Sequence, residues 1–211
     1  MKSIRFLFFL VLAAAGTHSH AQSLREQLFE AIEAGNAAEV ARLVRAGVHY
    51  TAKNGEGESP LYFAAEKGQS AIALLLLDNG ADIKARTPNG ETALHAASLH
   101  DEPALAALLL ERGAQTGVAN KDGETPLHWA AMTGTLAVVK LLAEHGAAIQ
   151  AADAAGNTPL HGAAESGNAD LVAYLLSKKA RSTGRNKAGH RPVDLAQARG
   201  HAEVVKLLTQ K

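Results

Sequence analysis

A chain of 211 residues, 47% of them hydrophobic, is long enough to bury the core of one compact domain. Aromatic residues make up only 4%, so that core must be built from Ala, Leu, Val and Ile, which suit closely stacked helices. The 21 Lys and Arg balance the 21 Asp and Glu, which argues against a general nucleic-acid binder, and the absence of cysteine excludes disulfides and lipid attachment at a cysteine.

The first segment, residues 1–21, reads as a secretory signal peptide. Lys2 and Arg5 give a positive start, FLFFLVLAAA an apolar stretch, and Ser19 and Ala21 the small residues before a cleavage point. Cleavage after Ala21 is expected, leaving Gln22 as the new N-terminus. The apolar run is too short to span a bilayer, which takes roughly 20 residues, so no stable membrane insertion is expected.

The rest of the chain repeats itself. GESPLYFAAEKG starts at Gly57, GETALHAASLHD at Gly90, GETPLHWAAMTG at Gly123, GNTPLHGAAESG at Gly156 and GHRPVDLAQARG at Gly189, each step being 33 residues. A looser copy, EQLFEAIEAG, ends at Gly35. The second half of each unit, as in AVVKLLAEHGAA, keeps the same register. A period of this length signals a stack of supersecondary units.

These units resemble the ankyrin-repeat family through G-x-T-P-L-H-x-A-A, a following glycine, an apolar V-V-x-L-L run and G-A. The resemblance spans about residues 24–211 and implies an all-α solenoid of about six stacked helix-turn-helix units. The approximate repeats are 22–53 as N-terminal cap, 54–86, 87–119, 120–152, 153–185, and 186–211 as C-terminal cap. Within residues 120–152, Thr125 caps a helix that opens on Pro126, and Leu127, Ala130 and Ala131 share one face. Gly134 ends that helix, and Val138, Leu141 and Leu142 form the stripe of a second. Glu39 and Arg42 stand where later units have Ile72 and Leu75, as suits a cap facing water. Asp101, followed by Pro103, replaces a first-helix glycine and is expected to cap the second helix. Lys179 replaces a second-helix glycine, so its loop is expected to be locally altered or mobile.

Repetition also argues against chemistry. His95, His128 and His161 recur at one position, but stacked helices lie about 8–10 Å apart, too far for neighbouring copies to share one metal. Their expected role, which the resemblance also implies, is to hydrogen-bond loop backbone between repeats. His100, His145, His190 and His201 read as surface residues. Thr92 with His95, Thr125 with His128 and Thr158 with His161 repeat the same pair, and three equal nucleophiles in one small chain make no enzyme. No catalytic residue, cofactor or metal site is expected.

The resemblance implies that a partner protein binds the concave side, formed by loop tips and first helices. The positions of this chain on that side include Glu58, Glu91 and Glu124 after the turn glycines, then His190. Glu66, Leu99, Met132, Glu165 and Arg199 fall near the first-helix ends, with Trp129 as an apolar ridge. Charge is polarised: residues 22–177 hold 10 Lys and Arg against 19 Asp and Glu, residues 178–211 hold 9 against 2. The reading is a non-catalytic, monomeric protein-binding scaffold, periplasmic or secreted. The alternatives are a secreted effector acting on a host protein and, less favoured, an enzyme.

Overall fold

The computed structural model describes residues 23–101 and 103–210; the expected signal peptide at 1–21 lies outside the described residues. Among the described residues there are twelve helices and no strand. They run in pairs: α1 (Leu24–Glu33) and α2 (Ala37–Arg45), α3 (Pro60–Glu66) and α4 (Ser70–Asp78), α5 (Ala93–Ala97) and α6 (Pro103–Glu111). Then follow α7 (Pro126–Thr133) and α8 (Leu136–Glu144), α9 (Pro159–Ser166) and α10 (Ala169–Ser177), α11 (Pro192–Ala198) and α12 (Ala202–Thr209). Each first helix packs on the first helix of the next pair, and each second helix on the next second helix. The result is a two-layered all-α solenoid, as the repeat period requires. Among the described residues, no helix is long and apolar enough to cross a membrane.

The core follows from side-chain size. Ala64, Ala97, Ala130, Ala163 and Ala196 have no exposed surface, and with no bulk beyond Cβ they let adjacent helix pairs close up. Leucines fill the space between layers: Leu61, Leu94, Leu127 and Leu160 from the first helices, Leu76, Leu109, Leu142 and Leu175 from the second. Leu142 has no exposed surface, whereas Leu141 is only half-buried. The two are one residue, or about 100°, apart on the helix, so the stripe expected to contain both centres on Leu142. Pro103 opens α6, which leaves Asp101 two residues before the helix and not at the cap position expected for it.

Position 179 departs from expectation. Lys179 adopts φ 64°, the left-handed conformation taken at the same place by Gly47, Gly80 and Gly146. Its loop is not remodelled. Its N–H still donates to the Leu176 carbonyl at 2.9 Å, and its own carbonyl accepts from Gln150 Nε2 at 2.6 Å. The lysine therefore absorbs a strain of about 1 kcal/mol in an unchanged backbone.

Candidate protein-binding face

The turns that precede each first helix are built from one recurring pattern. In the turn at 54–58, the Asn54 N–H donates to the Glu58 carbonyl at 3.0 Å, and the Gly57 N–H to the Asn54 carbonyl at 3.1 Å. The Asn54 side-chain oxygen accepts the Glu58 N–H at 2.9 Å. Thr87, Asn120, Asp153 and Asn186 do the same for residues 91, 124, 157 and 190, at 2.8–3.2 Å. Short polar side chains are favoured here because they substitute for a backbone partner. This column was not singled out in the sequence, although its 33-residue spacing was there to find. Successive turns are also tied together: Lys121 N–H donates to the Asn89 carbonyl at 2.8 Å, Ala154 N–H to that of Asp122 at 2.7 Å, and Lys187 N–H to that of Ala155 at 2.9 Å. Gly123 cannot be replaced freely here, since a Cβ would lie 2.8 Å from the Ala154 nitrogen.

The turn glutamates on this side are held by hydrogen bonds within their own turns. Glu58 accepts from Asn54 Nδ2 at 2.7 Å, and Glu91 from the Thr87 hydroxyl at 2.8 Å. Glu124 accepts from Asn120 Nδ2 at 3.0 Å and from Trp129 Nε1 at 2.8 Å. All three are half-buried. Burial pushes the Glu58 carboxyl above its ordinary value; the Asn54 bond opposes this, while Glu66, Glu56 and Glu91 push the same way. Burial also raises the Tyr62 hydroxyl, and Glu91, Glu58 and Glu66 add to it. Glu58 and Glu91 are thus partnered by neutral donors, whereas Glu66 lies beside the Lys67 ammonium.

The remaining expected residues fall into two groups. Leu99 is 38% and Met132 52% exposed, large apolar side chains in water at the ends of α5 and α7. Trp129 is half-buried, its ring edge-on to His95 at 5.4 Å between centroids. A cavity of about 90 Å³ brings Glu124, His128, Met132, Asp153 and Glu165 together, so turns and first helices do share one face. Glu66 is exposed, 4.0 Å from Lys67. Glu165 and Arg199 were expected as separate contact residues, but they form an ion pair with each other across adjacent units. His190 is exposed in the last turn, its carbonyl accepting from His161.

The recurring histidines are structural brackets. The Thr125 N–H donates to His128 Nδ1 at 3.1 Å, and His128 Nε2 lies 3.2 Å from the Asn157 carbonyl. A backbone N–H can only donate and a carbonyl can only accept, so the ring is neutral with its proton on Nε2. His95 and His161 repeat the arrangement against the carbonyls of Glu124 and His190. Burial lowers the pKa of all three, that of His95 to about 4. Tyr62 takes this place near the start, and its hydroxyl reaches the Glu91 carboxylate at 3.5 Å. Asp194 takes it in the unit of α11 and α12, where it bonds within its own helix start. It accepts from Arg191 N–H at 2.7 Å, and the Arg191 guanidinium and N–H hold its carboxyl well below the usual range.

His100 and His201 are further brackets, not simple surface residues as expected. His100 Nε2 lies 2.9 Å from the Glu66 carbonyl and His201 Nε2 3.0 Å from that of Glu165, so each caps the end of the preceding first helix. Their distance from these carbonyls in sequence, 34 and 36 residues, hid the contact. Among the described residues, no group of three or more His, Cys, Asp or Glu is placed to hold a metal ion.

A family model described as ankyrin repeats (3 copies) matches residues 4–87, 28–120, 84–153, 102–186 and 149–211, together nearly the whole chain. No curated protein matches the chain.

Proposed function

The chain belongs to the ankyrin-repeat family, a protein–protein interaction fold, and from this we propose that it is a non-catalytic scaffold that takes a partner protein on the turn and first-helix face. The observation that carries this reading is the exposure of Leu99 and Met132 on a face whose turns bear Glu58, Glu91 and Glu124. Apolar anchors give affinity when desolvated, and flanking charges set encounter rate and specificity. The leader pattern of residues 1–21 supports a bacterial periplasmic location.

The test compares two triple variants in capture from a periplasmic extract. Changing Glu58, Glu91 and Glu124 to Gln keeps an acceptor oxygen for Asn54, Thr87, Asn120 and Trp129, so thermal unfolding should move little. Capture of the partner should weaken roughly tenfold and lose much of its salt dependence. Changing the exposed Lys140, Glu144 and Lys206 on the second-helix side to Gln should do neither. Retention by the first variant and loss by the second would put the binding face on the other layer.

Export has its own check. Edman sequencing of the protein from a bacterial host should begin at Gln22; Met1 retained on a membrane-bound species would refute cleavage after Ala21. Recovery of the mature chain from the medium instead of the periplasm would favour the effector reading.

A further inference from the structure

A cavity of about 340 Å³ lies between the loop after α2 and the loop after α4, beside the start of α3. None of the residues assigned to the partner face lines it. Its walls bring together Lys53, Lys84 and Arg86 with one acid, Asp82, so the lining carries three positive charges less one negative, a net +2. Among the described residues, none of the three cations forms an ion pair. Asp82 serves its own loop, Oδ1 accepting the Lys84 N–H at 2.9 Å. Arg86 is fixed on two neutral groups, the carbonyls of Gly90 at 2.8 Å and of Ala119. Lys53 Nζ donates once, to the Arg86 carbonyl at 3.3 Å. A lysine ammonium has three donors. Lys53 therefore keeps two of them free, and the Lys84 ammonium, which has no partner among the described residues, keeps them all.

Stacking does not require this charge. One period later, Gln115, Gly117 and Ala119 replace Asp82, Lys84 and Arg86, and the helix pairs pack all the same. The cavity there shrinks to about 140 Å³ and retains two of the cations, Lys84 and Arg86. We propose that the larger cavity binds a small phosphomonoester dianion, its phosphate taken by the Lys53 and Lys84 ammoniums in the field of Arg86, its organic part lying against Tyr50 and Ala85. A phosphomonoester carries about −1.5 to −2 at neutral pH, which matches the charge of the lining; a carboxylate or a sulfate monoester carries a single charge. Lysine suits this task as a mobile point charge, and cations gathered along one wall of a cleft focus their field on an anion within it. Cavities that take small molecules begin near about 300 Å³, so a phosphate with a single ring has room. A phosphorylated protein segment would have to enter away from the partner face. The site rests on residues other than those of the scaffold reading and stands or falls apart from it.

The test is a titration of the purified protein with phenyl phosphate, followed by amide NMR at about pH 7.5 and about 20 mM salt, where attraction is little screened. The expected result is saturation, with the largest shifts in residues 50–61 and 81–86. Phenyl sulfate, with one charge less, should bind roughly tenfold more weakly, and inorganic phosphate, with no ring, several-fold more weakly. Changing Lys53 and Lys84 together to Gln should weaken phenyl phosphate roughly tenfold while leaving the amide spectrum outside these loops in place. Lys140→Gln with Lys206→Gln removes the same charge from the second-helix side and should bind as the wild type does. Arg181 and Arg185 stand three periods after Asp82 and Arg86, but Ala152 and Thr183 occupy the places of Lys53 and Lys84. Largest shifts there instead would overturn the site, as would absence of saturation or an unimpaired Lys53, Lys84 variant. Equal affinity for phenyl sulfate would overturn the choice of a dianion, and equal affinity for inorganic phosphate the role given to Tyr50 and Ala85. Much tighter binding of a short phosphoserine peptide would overturn the small ligand in favour of a protein one.

Discussion

Leu142→Ala should lower the unfolding free energy by roughly 2–5 kcal/mol, measured as a shift of the urea midpoint with an unchanged slope. Leu142 has no exposed surface and sits in α8, in the fourth of the six helix pairs among the described residues. Its side chain belongs to the continuous buried core, so its removal leaves a cavity away from the surface. A solenoid holds each unit only through its neighbours, and a hole in the middle weakens two interfaces at once. Leu141→Ala removes the same atoms from a half-buried place and should cost about 1 kcal/mol. Equal losses for the two would contradict the orientation of α8. A decrease in slope for Leu142→Ala would show that the two halves of the stack had begun to melt separately.

The contrast between these leucines shows where the sequence is legible. The repeat gave helix pairs and their order because both depend on short-range signals: Thr-Pro starts, glycine ends and an apolar stripe of helical period. It also gave the histidine brackets, since a column repeated every 33 residues with a loop always beside it has few structural readings. It did not give the partners of the turn glutamates. Those bonds close across irregular backbone, where a glycine such as Gly57, at φ 80°, turns the chain back on Asn54. Charge counting alone makes Glu58 a free carboxylate; the turn makes it a half-buried acceptor. Glu165 and Arg199 were missed as a pair for a related reason, because contacts between units join residues 34 apart and no local pattern reports them. Lys179 shows the reverse: a residue that locally disfavours φ 64° is forced into it by the bonds of Leu176 and Gln150 on either side.

Acid should loosen the stack before it touches most carboxylates. His95 has no exposed surface; burial lowers its pKa to about 4, and neighbouring Arg86 and His128 push the same way, against the Glu124 carbonyl and carboxylate. In the unfolded chain it returns to the ordinary histidine value near 6.5. The neutral ring is therefore the form the fold selects: Nδ1 must accept from Thr92 N–H at 3.0 Å, and a proton there would destroy that bond. A pKa lowered by folding means that the unfolded state binds more protons between about pH 6.5 and 4, so stability is complete above 6.5 and is lost as pH falls through that window. For His95 alone the loss amounts to about 3 kcal/mol by pH 4. His128 and His161 shift in the same direction and add to it. Glu58, with its raised pKa, acts in the opposite sense, but only near the ordinary carboxylate range at the acid end of the window. Unfolding in urea at about pH 7.5 and about pH 5 should therefore give a clearly lower midpoint in acid, with part of the difference removed in His95→Gln. Gln cannot take up the proton, so the variant should be weaker than wild type at neutral pH yet less sensitive to acid. A wild-type midpoint that is flat across this range would mean that the histidine brackets do not exclude the charged ring.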